Sequence, residues 1–421
     1  MSFSEKILYW YAIHKRELPW RGSRDAYKIW LSEVILQQTR VAQGTPYYLR
    51  FVEAFPTVHD LAGASEEKIL KLWQGLGYYS RARNLHAAAK TVVKEYNGKF
   101  PETYKGLLKL KGVGDYTASA IASICFNEPE PVVDGNVYRV LARYFGVNKA
   151  INSSEGIKYF KKLAREVMDA DKIRDYNQGI MEFGAMQCTP KKPDCMFCPL
   201  NESCEALQKG RVQELPVKIG KTKVRQRYFN YMVFLDADGN TLLQQRTGKG
   251  IWQNLWEFPL YESDAPIGRD QVVEELKNRD LGKNFEVSGG RKAGEKGKVP
   301  HRNEDFEHGT GNLKVAEDAV NLWTIGKVNS SNYKTETATT GNRTVRNQSL
   351  GNQDKELRLK ITRFNEEAVV HKLSHQHLNT VFWIVETEMK IPNGIPLSEL
   401  EGYPVPVLIA DFMKTFKNSY F

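Results

Sequence analysis

Through the first half of the chain, apolar positions recur at three- and four-residue spacing, the period of helices that bury one face. In DAYKIWLSEVILQQTR, residues Tyr27, Trp30, Leu31, Val34 and Ile35 make one apolar stripe. Glu33 lies at its margin, one turn from Trp30 on one side and from Gln37 on the other. A carboxylate in that place is ordinarily a solvated surface group. Its neighbours Gln37, Gln38 and Thr39 are instead uncharged and hydrogen-bonding, suited to reading bases. Helical patterns continue over 56–100, flank the glycines at 112 and 114, and run on after Asn136 through Tyr144 and Ile157–Met168 to Ile180–Met186. From Tyr228 the period shortens to that of strands. MVFLDADGNTLLQQR reads as a hairpin turning at Asp238-Gly239. A helix is predicted over Asp270–Lys277, strands over Glu367–Leu373 and Val381–Glu386, and a closing amphipathic helix over Pro406–Phe416. Between these, residues 283–357 are rich in Gly, Asn, Lys and Thr without periodicity. Such a tract has too little apolar surface to offset its ordering entropy and reads as a disordered insertion.

Composition narrows the class. A chain of 421 residues with 41% hydrophobic content can build two or three real cores. The formal charge of +10 favours a polyanionic partner, although it fits a merely basic soluble protein equally well. Glu5 and Lys6 interrupt any apolar run at the N-terminus, so no signal peptide is expected. No stretch approaches the roughly 18 apolar residues of a membrane span. The five cysteines are therefore expected in a reducing compartment, where metal or cluster ligation outranks disulfides.

Three segments carry candidate chemistry. In LKGVGDYTASAIASICFNEPEPVVDGN, Gly112 and Gly114 bracket Val113 ahead of an Ala-rich helix. Glycines there let backbone N–H groups reach a phosphate at a helix N-terminus. Asp134 follows after the breakers Pro129 and Pro131. In WQGLGYYSRARNL, the mix of Tyr78, Tyr79, Arg81 and Arg83 suits a wedge in a base stack with a grip on phosphates. A buried tyrosine cluster with solvated arginines fits that composition as well. Cys188, Cys195, Cys198 and Cys204 are spaced C-x6-C-x2-C-x5-C, four thiolates within 17 residues. That spacing favours a 4Fe–4S cluster, with zinc the rival. Lys191 and Lys192 in the first inter-cysteine loop would face DNA, and Cys125 reads as a small buried residue. Lys218, Lys221, Lys223, Arg225 and Arg227 form a basic run that reads as a linker tracking a phosphate backbone, or as a solvated charge run.

Together LPWR, WLSEVILQQTRV, GLGYYSRARNL, LKGVGDYTA, VDGNVYRVLAR, MEFGAMQC and the four-cysteine loop resemble the MutY-type adenine DNA glycosylases of the endonuclease III superfamily. The strand-rich C-terminal part resembles their MutT-like domain. The resemblance implies a multidomain chain. Residues 1–209 would form an all-α helix-hairpin-helix glycosylase domain, with an iron–sulfur loop at 188–204. Residues 210–227 would be the basic linker. Residues 228–421 would form an α+β MutT/Nudix-like lesion-recognition domain interrupted at about 283–357. It implies excision of adenine from double-stranded DNA opposite 8-oxoguanine or guanine, by a monomer working in the cytoplasm on the nucleoid.

Carried over residue by residue, Glu33 matches the general acid and Asp134 the carboxylate that stabilises a cationic sugar. Asn136 would orient these groups, Tyr116 would lean on Asp134 or the sugar, and Glu182 would be a further polar residue of the pocket. Gln38 and Tyr78 match residues that fill the gap near the lesion, and Gly112, Val113 and Gly114 a phosphate grip. Ser374-His375 matches the lesion-reading pair, with Leu373 where the family carries Phe. The alternative, a bifunctional glycosylase/lyase like endonuclease III, needs a Schiff-base lysine where this chain has Tyr116. A Nudix hydrolase needs a longer acidic series than the Glu274 and Glu275 of VVEELKNRDLG.

Overall fold

The computed structural model describes residues 1–220, 223–278, 322–327 and 356–420. It divides into two compact units, Met1–Lys221 and Thr222–Phe421.

The first unit is helical. Its elements in order are α1 (Phe3–His14), α2 (Ala26–Leu36), α3 (Val41–Ala54), α4 (Val58–Gly63), α5 (Glu66–Leu72), α6 (Ser80–Tyr96), α7 (Tyr104–Leu107), α8 (Asp115–Phe126), α9 (Gly135–Tyr144), α10 (Ser154–Val167), α11 (Ile173–Met186) and α12 (Glu205–Gln208). The predicted stripe of α2 is the buried one: Tyr27, Trp30, Leu31, Val34 and Ile35 all lie in the core. Asp25 starts this helix by accepting the Tyr27 N–H at 2.9 Å, which satisfies an otherwise unpaired donor of the first turn. The Ala- and Ser-rich α8 is buried from Thr117 to Ile124 and packs between α2 and α11. Its small side chains let the neighbouring helices approach closely. Gly184 on α11 serves the same end. A Cβ there would stand 2.6 Å from Asn136 Cβ, so only glycine lets α11 meet the start of α9.

The second unit is a mixed sheet with a helix on each face. β1 (Arg225–Asp236) pairs in parallel with β9 (Gln376–Thr387) and antiparallel with β5 (Leu260–Ser263). β7 (Glu356–Arg363) and β6 (Leu322–Lys327) continue the sheet beyond β9, and β8 (Val369–Lys372) also pairs with β9. Short strands β2 (Asn240–Thr241) and β10 (Ile395–Pro396) pair with each other, as do β3 (Gln244–Gln245) and β4 (Trp256–Glu257). α13 (Arg269–Asn278) packs Val272, Val273 and Leu276 with Met232, Phe234, Trp383 and Val385. α14 (Val407–Tyr420) stacks Phe412 on Phe382 with ring centroids 3.9 Å apart. With both faces covered, β1 is buried without a break from Phe229 to Phe234, as a strand between two covered faces should be.

The expected hairpin about Asp238-Gly239 is not a paired ladder, since β1 pairs with β5 and β9 instead. The buried Asp236 carboxylate supersedes it. Asp236 accepts the N–H groups of Asp238, Asn240 and Ile391 at 2.8–3.0 Å and draws the chain off β1. The stretch expected as a linker, 210–227, is divided. Leu215 is buried, Val217 O accepts the Ile151 N–H, and Arg225 and Arg227 already belong to β1. Within the expected 283–357 insertion, Leu322–Lys327 is a strand paired with β7, because β7 presents a sheet edge for it. The rest of that tract up to Lys355 lies outside the described residues. Among the described residues, no helix is long and apolar enough to cross a membrane.

Candidate active site

A cleft of about 560 Å³ opens in the helical unit where three pieces of chain meet. The last turn of α2 contributes Glu33, Leu36, Gln37 and Gln38. The turn between α7 and α8 contributes Gly112 and Gly114, and the first turn of α8 contributes Asp115 to Thr117. The start of α9 contributes Asp134 and Gly135. Such a volume suits a single base with its sugar.

Two carboxylates share this cleft, and their surroundings push them apart chemically. Burial, partly opposed by a hydrogen bond with Tyr116 and aided by the nearby Asp134 charge, raises Glu33 from the ordinary 4.5 to about 7. Burial leaves Asp134 raised above its ordinary value too, although Val137 and Asn136 hydrogen bonds and the Arg139 charge offset part of that rise. Its Oδ1 accepts the Asn136 and Val137 N–H groups at 2.9 and 2.8 Å, and its Oδ2 accepts the Asn136 side-chain amide at 2.8 Å. Asp134 is thus the N-cap of α9, at the positive end of that helix, where an anion is favoured. Of the pair, Asp134 is the one held as carboxylate and Glu33 the one able to carry a proton near neutrality. Burial drives the Tyr116 hydroxyl well above its ordinary value, so it stays protonated beside them.

Behind Asp134 runs a line of hydrogen bonds. Asn136 accepts from Arg139 Nη2 at 2.9 Å, and Arg139 in turn donates to Gly184 O at 2.6 Å and Cys188 O at 2.8 Å. One turn further along α9, Arg143 donates to Thr189 O, Pro190 O, Leu215 O and Cys188 Sγ. Both arginines are buried. Sequence reasoning missed them, although their four-residue spacing in VYRVLAR puts them on one helix face. It also missed Leu36 and Thr117. Thr117 accepts from the Gln37 amide at 3.2 Å, which turns Gln37 along the cleft wall.

Several expected site residues stand elsewhere. Arg81, expected to grip phosphate, is buried, with its guanidinium spent on backbone carbonyls from Val34 to Gly77. Arginine suits that place because its fork of donors satisfies carbonyls left open at the end of α2. Burial lowers it from 12.5 to about 10. Tyr78 is 48% exposed, as a wedge requires, whereas Tyr79 is buried. The Val113 N–H donates to Leu110 O and its side chain is buried. Glu182 does not line the cleft. It is buried on α11, where Arg16 and Arg21 both bind it and hold it down to about 2. That ties the LPWR turn to α11.

In the second unit, Ser374 and His375 are exposed at the tip of the tight turn between β8 and β9. The Leu373 N–H closes that turn onto Gln376 O at 2.8 Å, and the Arg225 N–H braces it through His375 O at 3.0 Å. Glu274 is exposed on α13, and among the described residues no three His, Cys, Asp or Glu side chains converge to hold a single metal ion.

The cysteine loop carries four free, half-buried thiols, although among the described residues no three of them converge on one point. Cys195, Cys198 and Cys204 are raised, first by burial and then by one another and by Cys188, so the four sulfurs lie within mutual influence. Arg143 and backbone N–H groups of Leu200, Ala206 and Leu207 point at those sulfurs. These donors offset only part of the burial that holds the three thiols above their ordinary value. Lys191 and Lys192 are exposed beside it, and Cys125 on α8 is pushed up to about 12 by burial.

This architecture matches known proteins on both sides. Residues 31–173 match the HhH-GPD superfamily of base excision DNA repair proteins, and residues 230–310 match the NUDIX domain. The adenine DNA glycosylase of Buchnera aphidicola subsp. Baizongia pistaciae is 35% identical over 291 residues, covering 66% of this chain and 82% of that protein. Those of Rattus norvegicus and Arabidopsis thaliana are 45% and 38% identical over 66% and 64% of this chain. The chain belongs to the adenine DNA glycosylases. It spans 64% of the length of the rat protein and 50% of the Arabidopsis one.

Proposed function

We propose that this chain removes adenine mispaired with 8-oxoguanine or guanine in duplex DNA, as a monofunctional glycosylase. The observation that carries the reading is the pair of carboxylates in one cleft, Glu33 raised to about 7 and Asp134 capped by N–H donors. The target adenine leaves the stack to enter the cleft. Glu33 gives its proton to a ring nitrogen, and the N-glycosidic bond breaks with its electron pair going to the base. Asp134 faces the cationic sugar and stabilises it electrostatically. Ionised Glu33 then takes a proton from the water that adds to the sugar. Tyr116 stands where the lyases carry their lysine, so no Schiff base forms from this position. Release of adenine from duplexes bearing A opposite 8-oxoguanine, G, C and T tests the reading. No release from any of them would overturn it.

Cys188, Cys195, Cys198 and Cys204 would hold a 4Fe–4S cluster, which when bound supplies four iron–thiolate bonds that crosslink the loop. Purified protein is expected to be brown, with iron in about fourfold excess over chain, as such a centre requires. One zinc per chain and no colour would reject the assignment. Loss of Cys198 should loosen the loop and weaken DNA binding more than it slows excision.

Lesion choice falls to Ser374 and His375. Adenine is a normal base, so the enzyme must read its opposite, which differs from guanine by a carbonyl at C8 and a hydrogen at N7. A hydroxyl and an imidazole on an exposed, braced turn can test both. Replacing the two with Ala should cost roughly 1–2 kcal/mol of discrimination per lost hydrogen bond. Excision by Glu33 and Asp134 should survive. Full preference for 8-oxoguanine over guanine in the double variant would place lesion reading elsewhere.

A further inference from the structure

Two residues other than glycine that flank Arg81 hold left-handed backbone: Gln38, which lines the cleft, at φ 56°, and Tyr78 at φ 46°. Each such residue is strained and persists only where its surroundings impose it. Both side chains are exposed. Between the two stands Arg81, which hydrogen-bonds the chain beside each.

Its guanidinium brackets each strained residue. On either side of Gln38 it donates to Gln37 O at 2.5 Å and to Thr39 Oγ1 at 3.4 Å. Ahead of Tyr78 it donates to Leu76 O and Gly77 O at 3.3 and 3.2 Å, while its own backbone N–H donates to Tyr78 O at 2.9 Å. The carbonyls of Val34 and Ile35 anchor the same group to the end of α2. The rings of Trp73 and Tyr78 flank the cation, with centroids at 5.2 and 5.7 Å. Its buried Nε has no acceptor among the described residues, so the position is kept for the terminal nitrogens. A planar fork can span two loops in this way, whereas an ammonium cannot.

Given the base-excision reading above, we infer that Arg81 is a positioning residue that locks Gln38 and Tyr78 into one rigid two-pronged wedge. It acts on the cost of extruding the adenine and not on the acid chemistry, since it lies outside the carboxylate pair. Its loss should therefore matter where a paired adenine must be driven from the stack, and matter little where the adenine is already unpaired.

The test compares single-turnover excision by wild type, Arg81→Lys and Thr39→Val on two duplexes. One carries adenine opposite 8-oxoguanine, the other adenine opposite an abasic gap. Arg81→Lys should lose roughly 100-fold on the first, the scale of an ångström misplacement. On the second it should stay within about tenfold of wild type, because pairing is already lost. Thr39→Val should lose less but in the same order. The basic limb of the pH–rate profile should not move, and Arg81→Lys should add little in a Gln38→Ala/Tyr78→Ala background. Equal losses on both duplexes, a shifted basic limb, full additivity, or unchanged excision would each overturn the inference. If Arg81→Lys melts below the assay temperature, the ratio for Thr39→Val decides. A wild-type protein that releases no adenine from either duplex is a separate outcome, and it overturns the excision reading itself.

Discussion

Glu33→Gln is expected to abolish adenine release while leaving duplex binding near wild type, because Gln keeps the shape and removes the proton. Its second expected effect is a gain in stability that depends on pH. The folded protein holds Glu33 at about 7 against an ordinary 4.5, so the carboxyl is at no disadvantage in acid and costs folding energy as pH rises. The variant should therefore match wild type below about pH 4.5 and be more stable above pH 7, by at most about 3 kcal/mol. Wild-type excision should fall as pH rises through the same value, since the acid is then ionised. Thermal melting and single-turnover rates over pH 4–9 check both. Excision within a few-fold of wild type, or a variant no more stable at pH 8, would show that Glu33 is not the desolvated acid.

Asp134→Asn should be comparably inactive for a different reason. An Asn side chain still accepts the first N–H groups of α9 and remains a good N-cap, so the fold should persist. What it cannot do is stabilise a cationic sugar. Asp134→Ala should be inactive too, but should also lose about 1 kcal/mol from the missing cap. Circular dichroism melts separate the two roles. Measurable excision by the Asn variant at more than about a hundredth of wild type would mean that the charge is not required.

How far the sequence reveals this site depends on distance along the chain. The Glu33 margin was legible because its stripe is local, and Asp134 because glycines and prolines announce the turn before it. The partners of Glu182 were not, since Arg16 and Arg21 come from more than 150 residues away. Arg81 was legible as a cation among aromatics, but composition cannot say whether such a cation meets solvent or carbonyls. The parallel pairing of β1 with β9 likewise joins segments about 150 residues apart. The expected hairpin failed because one buried acid, Asp236, outcompeted a turn signal. The Ser374–His375 turn was visible as a strand end, but its brace from Arg225 was not.

The two arginines of α9 also set an order of events during synthesis. The helix is complete once Tyr144 has emerged, yet the acceptors of Arg139 and Arg143 include Gly184, Cys188, Thr189, Pro190 and Leu215. Until those residues leave the ribosome, Arg143 has no carbonyl waiting in the interior and Arg139 has only Gly135 O and Asn136 Oδ1 of its own helix, and burying cations so poorly paired is costly. The helix that carries Asp134 must therefore stay wet, and the cleft unfinished, for the dozens of residues between. A chain cut short before the cysteine loop would carry both carboxylates and every turn of α9, and still present that helix to a protease as an unfolded segment.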